Sequence, residues 1–323
     1  MFSFFVLSGF LMTMIMHGTY GYDWRGIRGY AENRFFRLYP MYWAAALFSV
    51  VVILIVSSGC AAAYKEELQI PHRWPSIVFN LTMIFPAWFP YTVDPRLSPP
   101  TWALTVEIAL YVLIGLGLSR TRRRTMVWLA ASLVYVAWTY AAGKNEAWRY
   151  ANIPAAALPF AMGSLLCFVK DDVQRRLGRG VATSPAVVMG ALVANAALFA
   201  FYSWRAGEHA RPPLLDLGTY LNLLLSALAV VALYDRGHEL FTKRTDKWLG
   251  DFSYPIYLSH WQAGLLASSL LFPTPTIGLS AAGAAAFALA LVLVLLWSWA
   301  AIETIDRHMT KIRNRIRAKV TDR

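Results

Sequence analysis

Long apolar runs, separated by short segments that carry charge, proline or glycine, constrain this sequence more than any other feature. A helix needs about 20 apolar residues to cross the hydrocarbon core of a bilayer, and most of these runs approach that length. Across the whole chain 58% of residues are hydrophobic and only 15% are charged, whereas a soluble domain is about one quarter charged. The pattern predicts a polytopic membrane protein and excludes disordered, coiled-coil, collagen-like and disulfide-stapled chains.

The apolar runs predict an all-α fold, a polytopic transmembrane helical bundle with about nine full spans. One further segment, Ser76–Pro90, is short and contains Asn80, Pro86 and Pro90, which fits a re-entrant or interfacial segment. The predicted spans are Phe2–Met16, Tyr42–Ser57, Thr101–Leu118, Met126–Ala142, Pro154–Val169, Pro185–Trp204, Leu214–Tyr234, Trp248–Phe272 and Thr276–Ala300.

The basic residues predict the topology. The chain has 30 Lys and Arg against 18 Asp and Glu, and with these spans 23 of the 30 fall on one side of the membrane. That side is therefore predicted to be cytoplasmic. It holds the C-terminus, and Met1 lies outside. We expect residues 1–300 to form one transmembrane domain and residues 301–323 to form a basic cytoplasmic tail. Because the topology explains the positive net charge, we expect no nucleic acid partner.

Two further expectations concern the cysteines and the N-terminus. Cys60 and Cys167 are isolated, so no metal-binding or redox spacing is present and we expect no metal. An outer N-terminus followed by an odd number of spans is unusual here, because the first span begins at residue 2 with no upstream loop and no flanking anchor. We therefore expect an earlier helix, running from inside to outside, to be missing from this chain.

Two motifs near the N-terminus depart from a plain lipid-facing helix. The run Phe4–Phe10 contains Ser-Gly, and small residues permit close approach of two helices, so packing alone would explain this motif. In Arg34–Pro40 the two arginines are three residues apart and share one helical face. Arginine forks suit phosphate oxygens; the alternative is a positive-inside anchor with an interfacial tyrosine at Tyr39.

Two later motifs place ionisable groups inside predicted spans. Glu107 lies two turns into an apolar helix, with Tyr111 on the same face, and a membrane carboxyl is expected to face the protein interior. In the second motif, Ser253, Tyr257, His260 and Trp261 form one helical stripe. Either ionisable group could instead have a purely structural hydrogen-bonding role.

These four motifs, in this order, resemble those of the acyltransferase-3 family of polytopic membrane acyltransferases. The family patterns are F-F-V-L-S-G-F, R-x-x-R-[LI]-Y-P, W-S-L-x-V-E-x-x-[FY]-Y and S-Y-x-[IL]-Y-L-x-H-W. The matching positions are Phe4–Phe10, Arg34–Pro40, then Trp102, Leu104, Val106, Glu107 and Tyr111, and finally Ser253, Tyr254, Ile256, Tyr257, Leu258, His260 and Trp261. Pro159–Gly163 and Glu303 resemble two further family segments, whereas Ala103 replaces a serine of the third pattern.

The resemblance implies transfer of an acyl group, commonly acetyl from acetyl-CoA, to a hydroxyl of a carbohydrate or lipid-linked glycan. It implies an integral protein of the bacterial inner membrane, with acyl-CoA as donor substrate and the bilayer as environment. Arg34, Arg37 and Tyr39 would bind the donor. Glu107, His260 and Tyr111 would form the catalytic set.

The family also places a further helix, with an important histidine near its outer end, before the first motif. That helix is absent here, so we expect the chain as written to be inactive. Glu107 would orient the absent histidine or share its proton, and His260 is the alternative base. A multi-span transporter or flippase is the rival function, although the chain shows no internal repeat.

Overall fold

The computed structural model describes residues 2–178, 180–206, 212–236 and 240–321. These residues form thirteen α-helices and no strand, which confirms the predicted all-α class. Three basic residues used to predict the topology, Arg179, Arg211 and Arg323, lie outside the described ranges.

The helices follow one another through short loops, with π-helical turns at Met16–Tyr20 and Ile302–Asp306. Their bounds are α1 Phe2–Ile15, α2 Trp24–Val56, α3 Ser58–Tyr64, α4 Trp74–Thr82, α5 Trp102–Gly115, α6 Arg122–Ala141, α7 Glu146–Tyr150, α8 Ile153–Leu177, α9 Pro185–Ala206, α10 Pro212–Arg236, α11 Lys243–Leu271, α12 Ala281–Ala301 and α13 Arg307–Thr321.

Six helical stretches of the described chain are long and apolar enough to cross a membrane. They coincide with six of the nine predicted spans. The other three predicted spans are also helical, in α5, α6 and α11, but α5 has only 14 residues, and the other two are not among the six stretches. The architecture is therefore that of a polytopic helical membrane protein.

The chain divides into two compact units, which are described separately. One unit comprises Met1–Asp23 and Leu110–Asp246, and the other comprises Trp24–Ala109 and Lys247–Arg323. The first contains the Phe4–Phe10 motif, and the second contains most of the predicted site residues.

A close crossing of α1 and α8 organises the first unit. A Cβ atom on Gly9 would lie 2.1 Å from the carbonyl oxygen of Phe160, and one on Gly163 would lie 1.9 Å from that of Val6. The Ser164 hydroxyl donates to the Gly9 carbonyl over 3.1 Å. The predicted close helix approach at Ser-Gly is confirmed, and two glycines, one on each helix, make it possible.

In the second unit, the predicted re-entrant or interfacial segment contains the short helix α4, after which the chain turns. The helix has nine residues and ends at Met83, whose φ of 56° lies in the left-handed region. Its last turn contacts α2 at residues 39–43, which is about 20–25 Å along the helix axis from the end of α2 at Val56. The chain then returns to begin α5 at Trp102. This geometry fits the predicted re-entrant segment.

The predicted tail is an ordered part of the second unit. After α12 the π-helical turn at Ile302–Asp306 leads into α13, which packs along α2. The Asn33 amide donates to the carbonyl of Arg313 over 3.2 Å, so the basic tail is docked by a buried asparagine.

We predict that Gly163→Ala destabilises the protein by about 1–3 kcal/mol, because the new methyl group overpacks the contact with α1. Thermal unfolding of the full chain in detergent measures the effect. The control is Gly190→Ala on α9, where a Cβ would meet nothing within 4 Å and helix propensity favours alanine. Equal melting temperatures for the two variants would contradict the close crossing.

Candidate active site

Three of the sequence motifs meet around one tyrosine, Tyr254 on α11. Its hydroxyl donates to the Leu38 carbonyl over 3.0 Å, and the guanidinium carbon of Arg37 lies 5.9 Å from the centroid of its ring. The charge of Glu107 also acts on this tyrosine. Tyr254 was recognised in its motif but was not predicted as a site residue; the structure places it beside the motif arginine Arg37.

Arg37 forms an ion pair that the sequence did not predict. Its Nη1 atom lies 3.3 Å from Oδ1 of Asp306, and Nη1 of Arg313 lies 3.7 Å from the same oxygen. Asp306 ends the π-helical turn that precedes α13, and such turns often occur at functional sites. One carboxylate is thus shared by two arginines from different helices.

Arg34 contacts Asn33, the asparagine that also contacts the backbone of α13. Its Nη2 donates to the Asn33 side-chain oxygen over 2.9 Å, and the Asn33 amide binds the Arg313 backbone. The Nε atom of Arg34 is buried without a hydrogen-bond partner among the residues that the structure describes. Guanidinium groups such as those of Arg34 and Arg37 suit an anionic ligand such as a phosphate group.

Tyr39 has a different partner from the two arginines of its motif. The last three carbonyls of α4 have no partner within that helix, as at any helix end. Tyr39 donates to Thr82 over 2.8 Å, Tyr42 donates to Asn80, and the Trp43 indole donates to Leu81 over 2.9 Å. The Tyr39 hydroxyl therefore helps to cap the re-entrant helix.

Glu107 is half-buried on α5, close to where this helix is fixed to the re-entrant segment. The hydroxyl of Thr105 donates to the Met83 carbonyl over 2.8 Å and accepts from the backbone N–H of Phe85 over 3.2 Å. This anchoring sets the position of the helix that carries the carboxyl group. An ionisable group in a membrane helix is expected to face the protein interior, and the half-burial of Glu107 is compatible with that prediction.

His260 lies on another part of α11. Its Nδ1 atom is 2.9 Å from the Tyr257 carbonyl and 3.2 Å from the Ile256 carbonyl. Because carbonyl oxygens only accept hydrogen bonds, Nδ1 carries the proton, and in the neutral ring the lone pair is on Nε2. The side chain borders a cavity of about 870 Å³ between α11 and α12, together with Tyr64 and Trp261. The charge of Glu107 influences Tyr254. The His260 ring, by contrast, hydrogen-bonds to backbone carbonyls of its own helix.

Tyr111 belongs to the first unit. Its hydroxyl is 3.3 Å from the Ser8 hydroxyl, and its ring meets that of Phe160 edge-on with centroids 6.2 Å apart. Tyr111 thus joins the first and third motifs, at the crossing of α1 and α8. The remaining predicted site residues, Arg34, Arg37, Tyr39, Glu107 and His260, lie in the second unit.

The loop that leads into α5 is organised by Arg96, which is 1% exposed and was not predicted to matter. It donates to the carbonyls of Tyr91, Val93 and Pro99 and pairs with Asp94 and Glu67. A signal existed, because Arg96 is one of only seven basic residues on the predicted outer side.

The contacts around Arg96 change the pKa of its partner Glu67. Burial alone would raise the pKa of Glu67. Hydrogen bonds to its own backbone and to Lys65, and the charges of Lys65 and Arg96, outweigh burial and leave that pKa below its usual value. Nearby, Gln262 on α11 donates to the Leu97 carbonyl over 2.9 Å. The loop before α5 is therefore fixed to the helix that bears His260.

The fold and the site define a polytopic helical membrane protein with an arginine cluster, a membrane carboxyl group and a histidine beside a cavity. The chain belongs to the acyltransferase-3 family, whose model, described as an acyltransferase domain, matches residues 3–303. This confirms the resemblance found from the four motifs.

Two relatives are similar over much of the chain. One is "Acyltransferase MdmB" of Streptomyces mycarofaciens, 23% identical over 80% of this chain and 66% of that protein. Another is the "Putative membrane-bound transacylase BcsY" of Komagataeibacter xylinus, 29% identical over 53% of this chain and 42% of that protein. The chain thus spans less than two thirds of the length of these relatives. No solved structure matches it.

We predict that Tyr39→Phe lowers the free energy of unfolding by about 1–3 kcal/mol, because it leaves the Thr82 carbonyl without its hydrogen bond. Thermal unfolding tests this loss, and CoA titration of the same preparation tests ligand binding. The dissociation constant for CoA should stay within about twofold of the wild-type value, since the hydroxyl faces α4. A large loss of CoA binding with unchanged stability would show instead that Tyr39 contacts the ligand.

Proposed function

We propose that this protein is a membrane acyltransferase that moves an acyl group, most simply acetyl, from acyl-CoA to a hydroxyl of a carbohydrate or cell-surface glycan. Family membership and the names of the two relatives support transfer of an acyl group. The observation that carries the proposal is the meeting of the Arg37 guanidinium and the Glu107 charge at Tyr254. In this proposal Arg37 is the phosphate-binding group and Glu107 is the acid–base group, and both influence the same tyrosine.

The donor would bind at the arginine cluster. CoA carries a diphosphate and a 3′-phosphate, and guanidinium groups form charge-assisted hydrogen bonds to phosphate oxygens. In this proposal Arg34 and Arg37 hold phosphates on the cytoplasmic side, and the thioester end extends into the protein. The membrane is the bacterial inner membrane, with the C-terminus in the cytoplasm, since the positive-inside rule favours that orientation.

Acyl transfer requires a base for the hydroxyl proton and stabilisation of the tetrahedral oxyanion. The acceptor oxygen attacks the thioester carbonyl, its proton passes to the base, and the CoA thiolate leaves. Nε2 of His260 is suited to accept that proton. Glu107 would orient a histidine base or share its proton, following the logic of a catalytic triad. The catalytic role of Tyr111 is proposed from its place in the family motif alone.

We predict that Glu107→Gln reduces kcat for acyl transfer by a factor of about 100 or more, the usual contribution of a positioned acid–base group. Thiol release from acetyl-CoA and acetyl incorporation into the glycan would be measured with the full chain in nanodiscs. The control is Glu66→Gln, which removes an exposed carboxyl of the same size. Wild-type transfer by Glu107→Gln would refute this role, and acceptor movement without acyl-CoA would identify a transporter.

We predict that His260→Gln removes one ionisation from the pH profile of kcat/KM. A base must be deprotonated, so wild-type kcat/KM should rise with pH through the pKa of the histidine and then level off. The glutamine variant should lose activity at the plateau and keep a flat profile in that range. An unchanged rising limb in the variant would assign the base to another group.

A further inference from the structure

A further cavity lies within the first unit and is lined by none of the predicted site residues. Its volume is about 350 Å³, near the lower end of the range for small-molecule sites. Carboxylates, amides, hydroxyls and a guanidinium line it together with aromatic rings. Its polar side chains include Glu146, Arg149, Asn195, Asp216 and Tyr220. This lining differs from that of the largely apolar cavity beside His260.

The cavity lies at the end of α1 that is predicted to be outside the membrane. Phe2, the first residue of α1, lines it. Arg149 precedes a span that enters from the outside on the predicted topology, and Asp216 begins another. On the same helix Ser8 contacts the Tyr111 hydroxyl, about 9 Å along the axis from Phe2. A ligand in the cavity would therefore lie on the predicted outer side, near a proposed catalytic residue.

Arg149 organises the polar wall of the cavity. Its side chain is 10% exposed, and its Nη1 donates to the Lys144 carbonyl over 2.6 Å. Its Nε lies 3.5 Å from Oδ1 of Asp216 and has no hydrogen-bond partner among the residues that the structure describes. The Arg149 charge is thus paired with a carboxylate, while Glu146 is exposed to water. This wall suits a polar, uncharged ligand better than a phosphate.

Several groups on the wall can bond to sugar hydroxyls, each of which both donates and accepts. The Asp216 carboxylate has about four acceptor positions. The Tyr220 hydroxyl accepts from Tyr140 over 3.4 Å, so its own O–H can donate to a ligand. The Asn195 amide nitrogen donates to the Gly218 carbonyl over 3.0 Å, which leaves its amide oxygen as an acceptor.

Two aromatic rings complete the lining. Tyr150 and Phe199 both line the cavity, and each is 38% exposed. A Cβ atom on Gly218 would lie 2.9 Å from Cδ2 of Phe199, so the glycine allows this ring to lie against α10. Aromatic faces carry partial negative charge, and the C–H groups on one face of a pyranose ring carry partial positive charge. The cavity therefore combines hydroxyl-binding groups with a ring that a sugar can pack against.

We infer that this cavity binds one neutral pyranose ring of the acceptor glycan. Asp216 and Tyr220 bond to its hydroxyls, and Phe199 packs against its C–H face. The inference rests on the proposed function for the choice of a carbohydrate acceptor. It assigns the acceptor a binding site of its own, separate from the side chains proposed to bind the donor.

The test measures binding, without turnover, on the full chain in nanodiscs of phosphatidylcholine. Saturation-transfer NMR detects weak complexes, and the probes are the methyl pyranosides of glucose, galactose, mannose and N-acetylglucosamine. At least one probe should bind. Tyr220→Phe should raise its dissociation constant about threefold or more, because one hydrogen bond is lost while the ring stays in place. Empty nanodiscs report binding to lipid alone.

A matched pair of variants on α9 tests the aromatic contact. Phe199→Leu keeps an apolar side chain but removes the ring, and it should weaken binding of the same probe. The control is Phe201→Leu, which changes a residue of the same helix that is 60% exposed and does not line the cavity. It should bind as wild type does. Thermal unfolding of each variant shows that the protein is folded.

Three results would overturn the inference. The folded wild type would bind none of the four probes, or Tyr220→Phe and Phe199→Leu would bind them as tightly as wild type. The third is tighter binding of methyl glucuronide than of every neutral probe, which would assign the cavity to an anion.

Transfer assays separate this inference from the proposed function. If the inference is correct, Tyr220→Phe raises KM for the glycan, while its KM for acyl-CoA matches that of Phe201→Leu. Transfer with an unchanged glycan KM would refute the inference alone. Sugar binding that depends on Tyr220 and Phe199, in a protein that releases no thiol from acetyl-CoA, would refute the proposed function and leave the sugar site standing.

Discussion

The capping of α4 by side chains of α2 is the constraint on which the second unit depends. In a membrane, backbone carbonyls outside regular helices have no water to bond with, so the protein must supply donors. One face of α2 supplies three donors to the last three carbonyls of α4. The donors are the side chains of Tyr39, Tyr42 and Trp43. With this helix end satisfied, the chain can turn back inside the unit. The hydroxyl of Thr105 then bonds to the backbone just after α4 and fixes that segment to α5, the helix that carries Glu107.

The same motif thus has two physical roles in one stretch of helix. Arg37 contacts the carboxylate of Asp306 that precedes the tail helix, while Tyr39 contacts the end of α4. A displacement of α2 would therefore move the arginine cluster and loosen α4 together. The Tyr254 hydroxyl, which donates to the Leu38 carbonyl between these two faces, ties α11 to the same point. The proposed donor-binding arginine Arg37 and the helix α11 are therefore positioned by one shared packing arrangement on α2.

Sequence reasoning predicted the features that depend on local pattern. The apolar runs predicted an all-α membrane protein, and Ser-Gly at Ser8 predicted a close helix crossing. Residues 76–90 were predicted to turn back because of their prolines and shortness. Long-range contacts could not be predicted from local pattern. Tyr42 and Asp306 illustrate this, because Tyr42 contacts Asn80, 38 positions away, and Asp306 contacts Arg37, 269 positions away. For the same reason Tyr39 was read with its motif arginines, whereas its hydroxyl bonds to α4.

The tail illustrates why charge patterns alone underdetermine function. Arginines near a membrane boundary fix topology by number, and any of the exposed basic residues of α13 would serve that purpose. Arg313 differs from Arg315 in geometry, since only its side chain is shown to share the carboxylate of Asp306 with Arg37. Topology requires only that these charges stay in the cytoplasm, whereas phosphate recognition requires that guanidinium groups converge. Arg37 and Arg313 converge on the carboxylate of Asp306, and a positive-inside anchor does not need such convergence.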